Sequence, residues 1–325
     1  MNTTINLVDD YRPGGIRSLL EDMAPEFLSP NIDWRVIECD STALPAMPAE
    51  TNTFVVHYSM AWRKLPSLLF LRLRHPRARI IIVEHHYTQG FDEKPETRSR
   101  RLRIMLKQAY RLADYVVAVS KAQQAWILRN RLVSKEKLIN ISACRNYAKF
   151  LQLPLPSSDN EQVVIGAIGR LAPAKGFDVL IDALDHLPAN RYRLLIAGSG
   201  DEEAYLRSKA AGRANIEFVG HVDDPTKFMS RCDVLAVPSR QEAFGLVCSE
   251  AKAAGRPVVV SRVDGLPEQA AQCGEIVEPN QPAALAAAIA RISEPNTHSL
   301  LSNRARESVR DAWPNFIHQW SQLLA

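Results

Sequence analysis

No run of about 18 apolar residues, the length that crosses a bilayer as a helix, occurs anywhere in the sequence. The opening stretch, MNTTINLVDDYRPGG, has no basic segment followed by an apolar one. It does not read as a secretory leader, and a cytoplasmic location is the expectation. Cysteine is sparse and scattered: Cys39, Cys144, Cys232, Cys248 and Cys273 form no C-x-x-C pair. This argues against a zinc site and against a disulfide framework, and it suits a reducing compartment. No short-period repeat is apparent.

What is present suits a soluble chain with more than one core. The 325 residues, 46% hydrophobic and 23% charged, suffice for two ordinary domains. The net charge of +4 is unevenly spread. Residues 1–150 hold 23 Lys and Arg against 15 Asp and Glu, and the remainder holds 17 against 21. Apolar, β-branched runs recur: INLV, WRVIEC, TFVVHY, RIIIVEH, YVVAVS and KLINIS in the first half, then VVIGAIG, YRLLIAG, IEFVG, DVLAVPS, RPVVVS and GEIVE. Bounded by Gly, Pro and polar residues, they read as buried parallel strands. Helical spacing lies between them, as in GFDVLIDALDHL, where Phe177, Leu180, Ile181 and Leu184 share a face. The alternation predicts an α/β chain with parallel sheets covered on both sides. KFLQLPLPSSDNEQ, residues 149–162, has the composition of a linker. Two doubly wound domains are expected, at 1–150 and 160–310, facing a central cleft, with ligands at the carboxyl ends of strands.

The second half carries the chemistry. In PSRQEAFGLVCSEAKAAGRPVVVS a strand ends at Pro238-Ser239, a helix starts near Phe244–Gly245, and Gly255 before Arg256-Pro257 stops it. Free amides and the positive dipole end make that helix start an anion site suited to a diphosphate, and Gly245 permits close approach. Glu250 lies inside the helix, where it could accept bonds from ribose hydroxyls. Glu242 precedes the helix and can face a sugar beyond the diphosphate. Both glutamates can equally be solvated charges, Glu250 favoured by the dipole. Arg170 and Lys175 follow another strand, beside Gly169 and Gly176, as cations suited to a diphosphate or as ordinary loop charges. Gly198-Ser199-Gly200 closes a further strand, too short for a dinucleotide fingerprint. Gly220-His221 forms a turn whose backbone could read a base.

Taken in order, GRLAPAKGFDVLIDAL, LLIAGSGDEEAYL, IEFVGHV, DVLAVPSRQEAFGLVCSEAKAAGRPVVVS and VDGLPEQ resemble the retaining glycosyltransferase family 4 pattern over most of residues 163–290. The resemblance implies the GT-B fold: two Rossmann-like domains, the first binding acceptor and the second a nucleotide-diphosphate-sugar donor. It implies that Arg170 and Lys175 bind the donor phosphates, Glu242 contacts the transferred sugar, Gly245 and Leu246 offer amides, and Glu250 binds ribose. Phe244, Gly198, Gly220 and His221 fall in the same donor-binding stretches. VDDYRPGGIRSLLEDM looks like the family's glycine-rich loop, with Gly14 and Gly15 near donor phosphate or acceptor, or else a plain tight turn. IIIVEHHYTQGF sets His85 and His86 at a strand end, where the family carries a histidine; His85 is favoured, with the register open by one residue. Ser120 matches a strand-turn with a mostly structural role. CRNYAKF departs from the family's Asn-Gly-Val-Asp turn, with only Asn146 and Phe150 fitting. DAWPNFIHQWSQLLA is expected to cross back to the first domain, as the family's last helix does.

No D-x-D is present. Arg170, Lys175 and the helix start could supply the charge that a divalent ion supplies elsewhere, and no metal or other cofactor is expected. Residues 60–111 hold 13 Lys and Arg against four Asp and Glu. LPSLLFLRLRHPRAR and RSRRLRIMLKQAYR read either as a solvated basic face or as a peripheral dock on an anionic membrane. No nucleic-acid module is evident. The expected function is retaining transfer of a sugar to a glycan or lipid-linked acceptor, in bacterial-type polysaccharide, lipopolysaccharide or glycolipid synthesis. A nucleotide-sugar epimerase or hydrolase on the same fold, and a non-catalytic scaffold, stay open.

Overall fold

The computed structural model describes residues 2–9, 15–23, 32–40, 42, 44–91, 96–157 and 161–325. The chain divides into two compact units: residues 1–145 with 314–325, and residues 146–313.

Among the described residues, the first unit carries six strands: β1 (Asn2–Val8), β2 (Ile32–Glu38), β3 (Thr53–Val56), β4 (Arg79–Glu84), β5 (Tyr115–Ala118) and β6 (Leu138–Asn140). They pair in parallel in the order β2-β1-β3-β4-β5-β6. Its helices are α1 (Gly15–Asp22), α2 (Leu65–Arg74), α3 (Glu96–Arg111) and α4 (Lys121–Arg129). Ile80, Ile81 and Ile82 of β4 are all buried, so the strand is covered on both faces. Met105, Leu106, Ala109 and Tyr110 of α3 pack with Trp126 and Ile127 of α4 and with Phe54 and Val56 of β3. Each such side chain contributes about 1.5–3 kcal/mol on burial. Ser120 caps α4, its hydroxyl accepting from the amide of Gln123 at 3.1 Å.

The second unit repeats the plan with β7 (Val163–Ile168), β8 (Tyr192–Ala197), β9 (Ile216–Gly220), β10 (Val234–Val237), β11 (Val258–Ser261) and β12 (Gly274–Val277). The strands are parallel, in the order β12-β11-β10-β7-β8-β9. Each of the twelve apolar runs is therefore a strand. The helices are α5 (Ala148–Leu151), α6 (Phe177–Ala183), α7 (Glu203–Lys209), α8 (Pro225–Ser230), α9 (Leu246–Ala253), α10 (Leu266–Ala270), α11 (Pro282–Ile292) and α12 (Pro295–Glu307). Phe177, Leu180, Ile181 and Leu184 are all buried, as their spacing suggests.

Two segments differ from, or add to, the expected plan. Residues 149–157 are not a free linker. Phe150 is buried, the Leu153 carbonyl accepts from Arg306 at 2.6 Å, and the Pro154 carbonyl from Arg256 at 2.8 Å. These partly buried guanidinium bonds hold the segment to the second unit, which begins at Asn146. The last helix, α13 (Ala312–Leu324), buries Phe316, Trp320 and Leu324. Its carbonyls at Leu323 and Leu324, which lack partners within the helix, accept from Arg79 at 3.3 and 2.6 Å.

Candidate functional site

In the second sheet the strand order reverses between β7 and β10, and ligands of doubly wound sheets bind at the carboxyl ends of such strands. Arg170 follows β7, exposed, with no ion pair among the described residues. Pro173–Lys175 form a tight 3-10 turn. Gly176 then takes φ 66°, and a Cβ there would lie 2.1 Å from the Pro238 carbonyl oxygen. Only glycine lets this turn lie against the loop after β10. Arg240 fastens the two loops. Its amide donates to the Ala174 carbonyl at 2.7 Å, and its guanidinium donates to Pro173 at 2.6 Å, to Asn280 at 2.6 Å and to both oxygens of Asp178 at 2.9 and 2.7 Å. Burial raises the Asp178 carboxyl, but the Arg240 guanidinium outweighs it and the net shift is downward. The clamp sets Lys175 Nζ 2.5 Å from Glu242 Oε2, both largely shielded from water. Ser239 Oγ lies 3.4 Å from the same oxygen. The Glu242 backbone is held too: its amide donates to Asp264 at 3.2 Å and its carbonyl accepts from Gly265 at 3.2 Å.

α9 starts three residues beyond Glu242's neighbour Ala243, with Gly245 as its cap at φ 89°. A Cβ on Gly245 would sit 2.7 Å from Leu266 Cδ2 and 3.5 Å from Glu242 Cγ, so the helix start lies directly against the carboxylate-bearing side chain. Leu246 opens the helix, half-buried Phe244 precedes it, and Glu250 lies buried within it. The structure thus brings Lys175, Glu242 and Gly245 together. Gly198 joins the strand ends: its amide donates to the Gly220 carbonyl at 2.7 Å, while Gly169 donates to the carbonyl of Ala197 at 3.0 Å. His221 follows the edge strand β9, exposed, 3.4 Å from Asp223. Arg240, Asp178 and Asp264 complete the site and carry no signature in the sequence. Nothing in local spacing announces a pair 62 residues apart, although an Arg two positions before Glu242 was visible.

In the first unit, Gly14 lies outside the described residues and Gly15 opens α1. Lys64, buried, pairs with Asp9 at 2.5 Å and donates to the Ser59 carbonyl at 2.7 Å. His85 follows β4 half-buried, and His86 is exposed. His85 Nε2 lies 3.0 Å from Nδ1 of His57, and His57 Nε2 lies 3.0 Å from Asn6 Oδ1. The two imidazoles are stacked, with centroids 5.3 Å apart. Burial pushes His57 down to about 3. Burial, then the neighbouring His57 and His86, hold His85 well below its ordinary value. Glu84 shapes the turn: its carboxylate accepts from the amides of His86 and Tyr87 at 2.9 and 3.0 Å and from the Tyr110 hydroxyl at 2.7 Å. In the sequence Asn6 and His57 stand within the apolar runs INLV and TFVVHY, with no local feature to set them apart. A histidine directly after a strand beside the sheet's reversal was the signal available.

Residues 162–294, the part of the second unit that holds Arg170, Lys175, Glu242 and α9, match the family model described as Glycosyl transferases group 1. Through these residues the second unit is similar to the glycosyl transferases of group 1. An uncharacterized glycosyltransferase of Methanocaldococcus jannaschii is 36% identical over 172 residues, 50% of this chain and 44% of that protein. The D-inositol 3-phosphate glycosyltransferase of Corynebacterium efficiens is 34% identical over 282 residues, 77% of this chain and 65% of that protein. The matched stretches thus span between about two fifths and just under two thirds of these relatives' lengths. Among solved structures, Anabaena HepE in complex with UDP and glucose superposes with a TM-score of 0.78, covering 99% of this chain and 98% of that one at 20% identity. That likeness shows the fold of this chain: two parallel six-stranded α/β sheets of the GT-B kind.

Proposed function

We propose that the protein is a retaining glycosyltransferase of the family 4 type, moving a sugar from a nucleotide-diphosphate donor to a glycan or lipid-linked acceptor. The observation that carries this reading is Lys175 against Glu242 at 2.5 Å, beside the Gly245-capped start of α9 and at the reversal of a doubly wound sheet. The bond broken joins the anomeric carbon to a phosphate oxygen, and negative charge gathers on the leaving diphosphate. Arg170, Lys175 and the first amides of α9 stabilise that charge without a metal. Glu242 orients the sugar, and Lys175, already its partner, holds it in place. Glu250 accepts from ribose hydroxyls. The acceptor oxygen attacks from the face the diphosphate leaves, and the departing phosphate oxygen takes its proton, so configuration is kept without an enzymic nucleophile. The complex of HepE with UDP and glucose favours UDP-glucose as the first donor to try.

The first unit is proposed to take the acceptor and to dock on anionic membrane. Leu69, Phe70 and Leu73 of α2 are exposed, with Arg74 beside them. α3 spends Met105, Leu106, Ala109 and Tyr110 in the core and exposes only Ile104 among its large apolar residues outside it, so the three exposed apolar residues of α2 make α2 the main inserting element. No helix among the described residues is long and apolar enough to span a membrane.

Thermal-shift titration with UDP, GDP, ADP and their sugar conjugates tests the donor site. Stabilisation by one nucleotide family is expected, about 2.7 kcal/mol at a hundredfold excess over Kd. No shift with any of them in a folded sample counts against the reading. Donor consumption without acceptor would point instead to a hydrolase or epimerase.

A further inference from the structure

Asn6 lies on β1, His57 directly follows β3, and His85 directly follows β4. These are three neighbouring strands at the reversal of the first sheet. The bonds between the three side chains have a direction. Asn6 Nδ2 donates to the Arg35 carbonyl at 3.1 Å, which fixes the amide and turns Oδ1 toward His57. An amide oxygen only accepts, so His57 Nε2 carries a proton. His57 is 2% exposed and neutral, with a single N–H. Its Nδ1 is therefore a bare lone pair, 3.0 Å from His85 Nε2. The contact is a hydrogen bond only if His85 Nε2 carries the proton; otherwise two lone pairs face each other 3.0 Å apart, one of them on the buried His57 ring. A neutral His85 protonated at Nε2 has a bare Nδ1. Among the described residues that nitrogen has no protein partner, and the His85 ring is only half covered.

We infer that Asn6 and His57 are positioning residues that lock His85 as the neutral Nε2–H tautomer, so that its Nδ1 accepts a hydrogen bond from a hydroxyl of the bound sugar or polyol. This deepens the proposed function and rests on its reading of His85 as ligand-facing. A neutral acceptor nitrogen recognises a hydroxyl and not a phosphate, which offers no proton to share when fully ionised. Phosphate recognition thereby falls to other groups, and His85 selects for a correctly placed O–H.

The tautomer is read directly from nitrogen-15 NMR of the histidine rings in the full chain, with His85 assigned by its loss in His85→Gln. The wild type is expected to show His85 with a protonated Nε2 and a bare Nδ1, and addition of UDP-glucose with an acceptor polyol is expected to move the Nδ1 resonance. His57→Phe removes the acceptor and should leave His85 a mixture of tautomers, with kcat about tenfold lower. His57→Asn can place an amide oxygen where Nδ1 stood and should restore both the tautomer and most of kcat. A wild-type His85 protonated at Nδ1 overturns the lock, whatever the activity. A correct tautomer whose Nδ1 resonance ignores sugar and polyol, in a sample that nucleotide stabilises, overturns the ligand half while leaving the donor site standing. His57→Phe with an unchanged His85 spectrum overturns the relay even if that variant is less stable.

Discussion

Replacing Gly176 by Ala isolates the contact that brings Lys175 to Glu242. Two terms add. The residue sits at φ 66°, and an L side chain in the left-handed region costs roughly 1–2 kcal/mol. The new Cβ would lie 2.1 Å from the Pro238 carbonyl oxygen, where carbon atoms essentially never come within 3.0 Å, so the two loops must part by about 0.9 Å. Backbone strain of that kind costs about 1–3 kcal/mol. The sum is roughly 2–5 kcal/mol, or about 4–20 °C in the melting temperature of a unit this size. Gly212→Ala is the control, because Gly212 has φ 81° but nothing within 4 Å of an added Cβ. It should lose only the conformational term, roughly 1–2 kcal/mol. Thermal and urea unfolding of both variants, each with and without the stabilising nucleotide, measure the difference. Gly176→Ala should also lose most of the nucleotide-induced shift. Equal destabilisation of the two variants, with the shift intact in both, would refute the idea that this close approach builds the site.

Lys175→Ala and Glu242→Ala should each lose most transfer activity while keeping the wild-type fold, checked by initial rates beside circular dichroism; near-normal turnover in either contradicts the site. A double-mutant cycle on Asp178→Asn and Arg240→Gln should show coupling of about 1–3 kcal/mol in urea unfolding, as expected of a bidentate, partly shielded pair. Because the Asp178 carboxyl is held below its unfolded value, that coupling is fully present above the ordinary carboxylate range and fades as pH falls through the folded value. Tyr110→Phe removes one donor to the buried Glu84 carboxylate and should cost about 1.5–3 kcal/mol in equilibrium unfolding. Leu73→Asp, at an exposed position of α2, should leave stability unchanged but reduce sedimentation with anionic vesicles; partitioning indifferent to lipid charge and salt would oppose the docking proposal.

The strands were legible because parallel strands covered on both faces must be apolar throughout, and RIIIVEH or RPVVVS leave little alternative. The charged residues of the donor stretch were legible because they follow such strands directly. The clamp was not. Arg240 and Asp178 meet only after β7 and β10 pair, and each alone looks like a surface charge on a loop and a helix start. The histidine relay was hidden for the same reason, since Asn6, His57 and His85 are neighbours across strands and not along the chain. Residues 149–157 misled because Pro and Ser suggest a linker, while what ties them down comes from Arg256 and Arg306, a hundred and more residues on.

The several bonds gathered on Arg240 carry a consequence for how this sequence can drift. Asp178 touches no proposed ligand group, yet its loss would leave the Arg240 guanidinium without its anion, and the loss of the Arg240 side chain would leave that carboxylate unpaired and hold the Pro173–Lys175 turn by backbone bonds alone. Neither residue can change first without passing through a crippled intermediate. Related chains should therefore hold this acid–base pair together or exchange both members at once, and a chain that has kept Lys175 and Glu242 but lost the pair should be found to have rebuilt the fastening by other side chains.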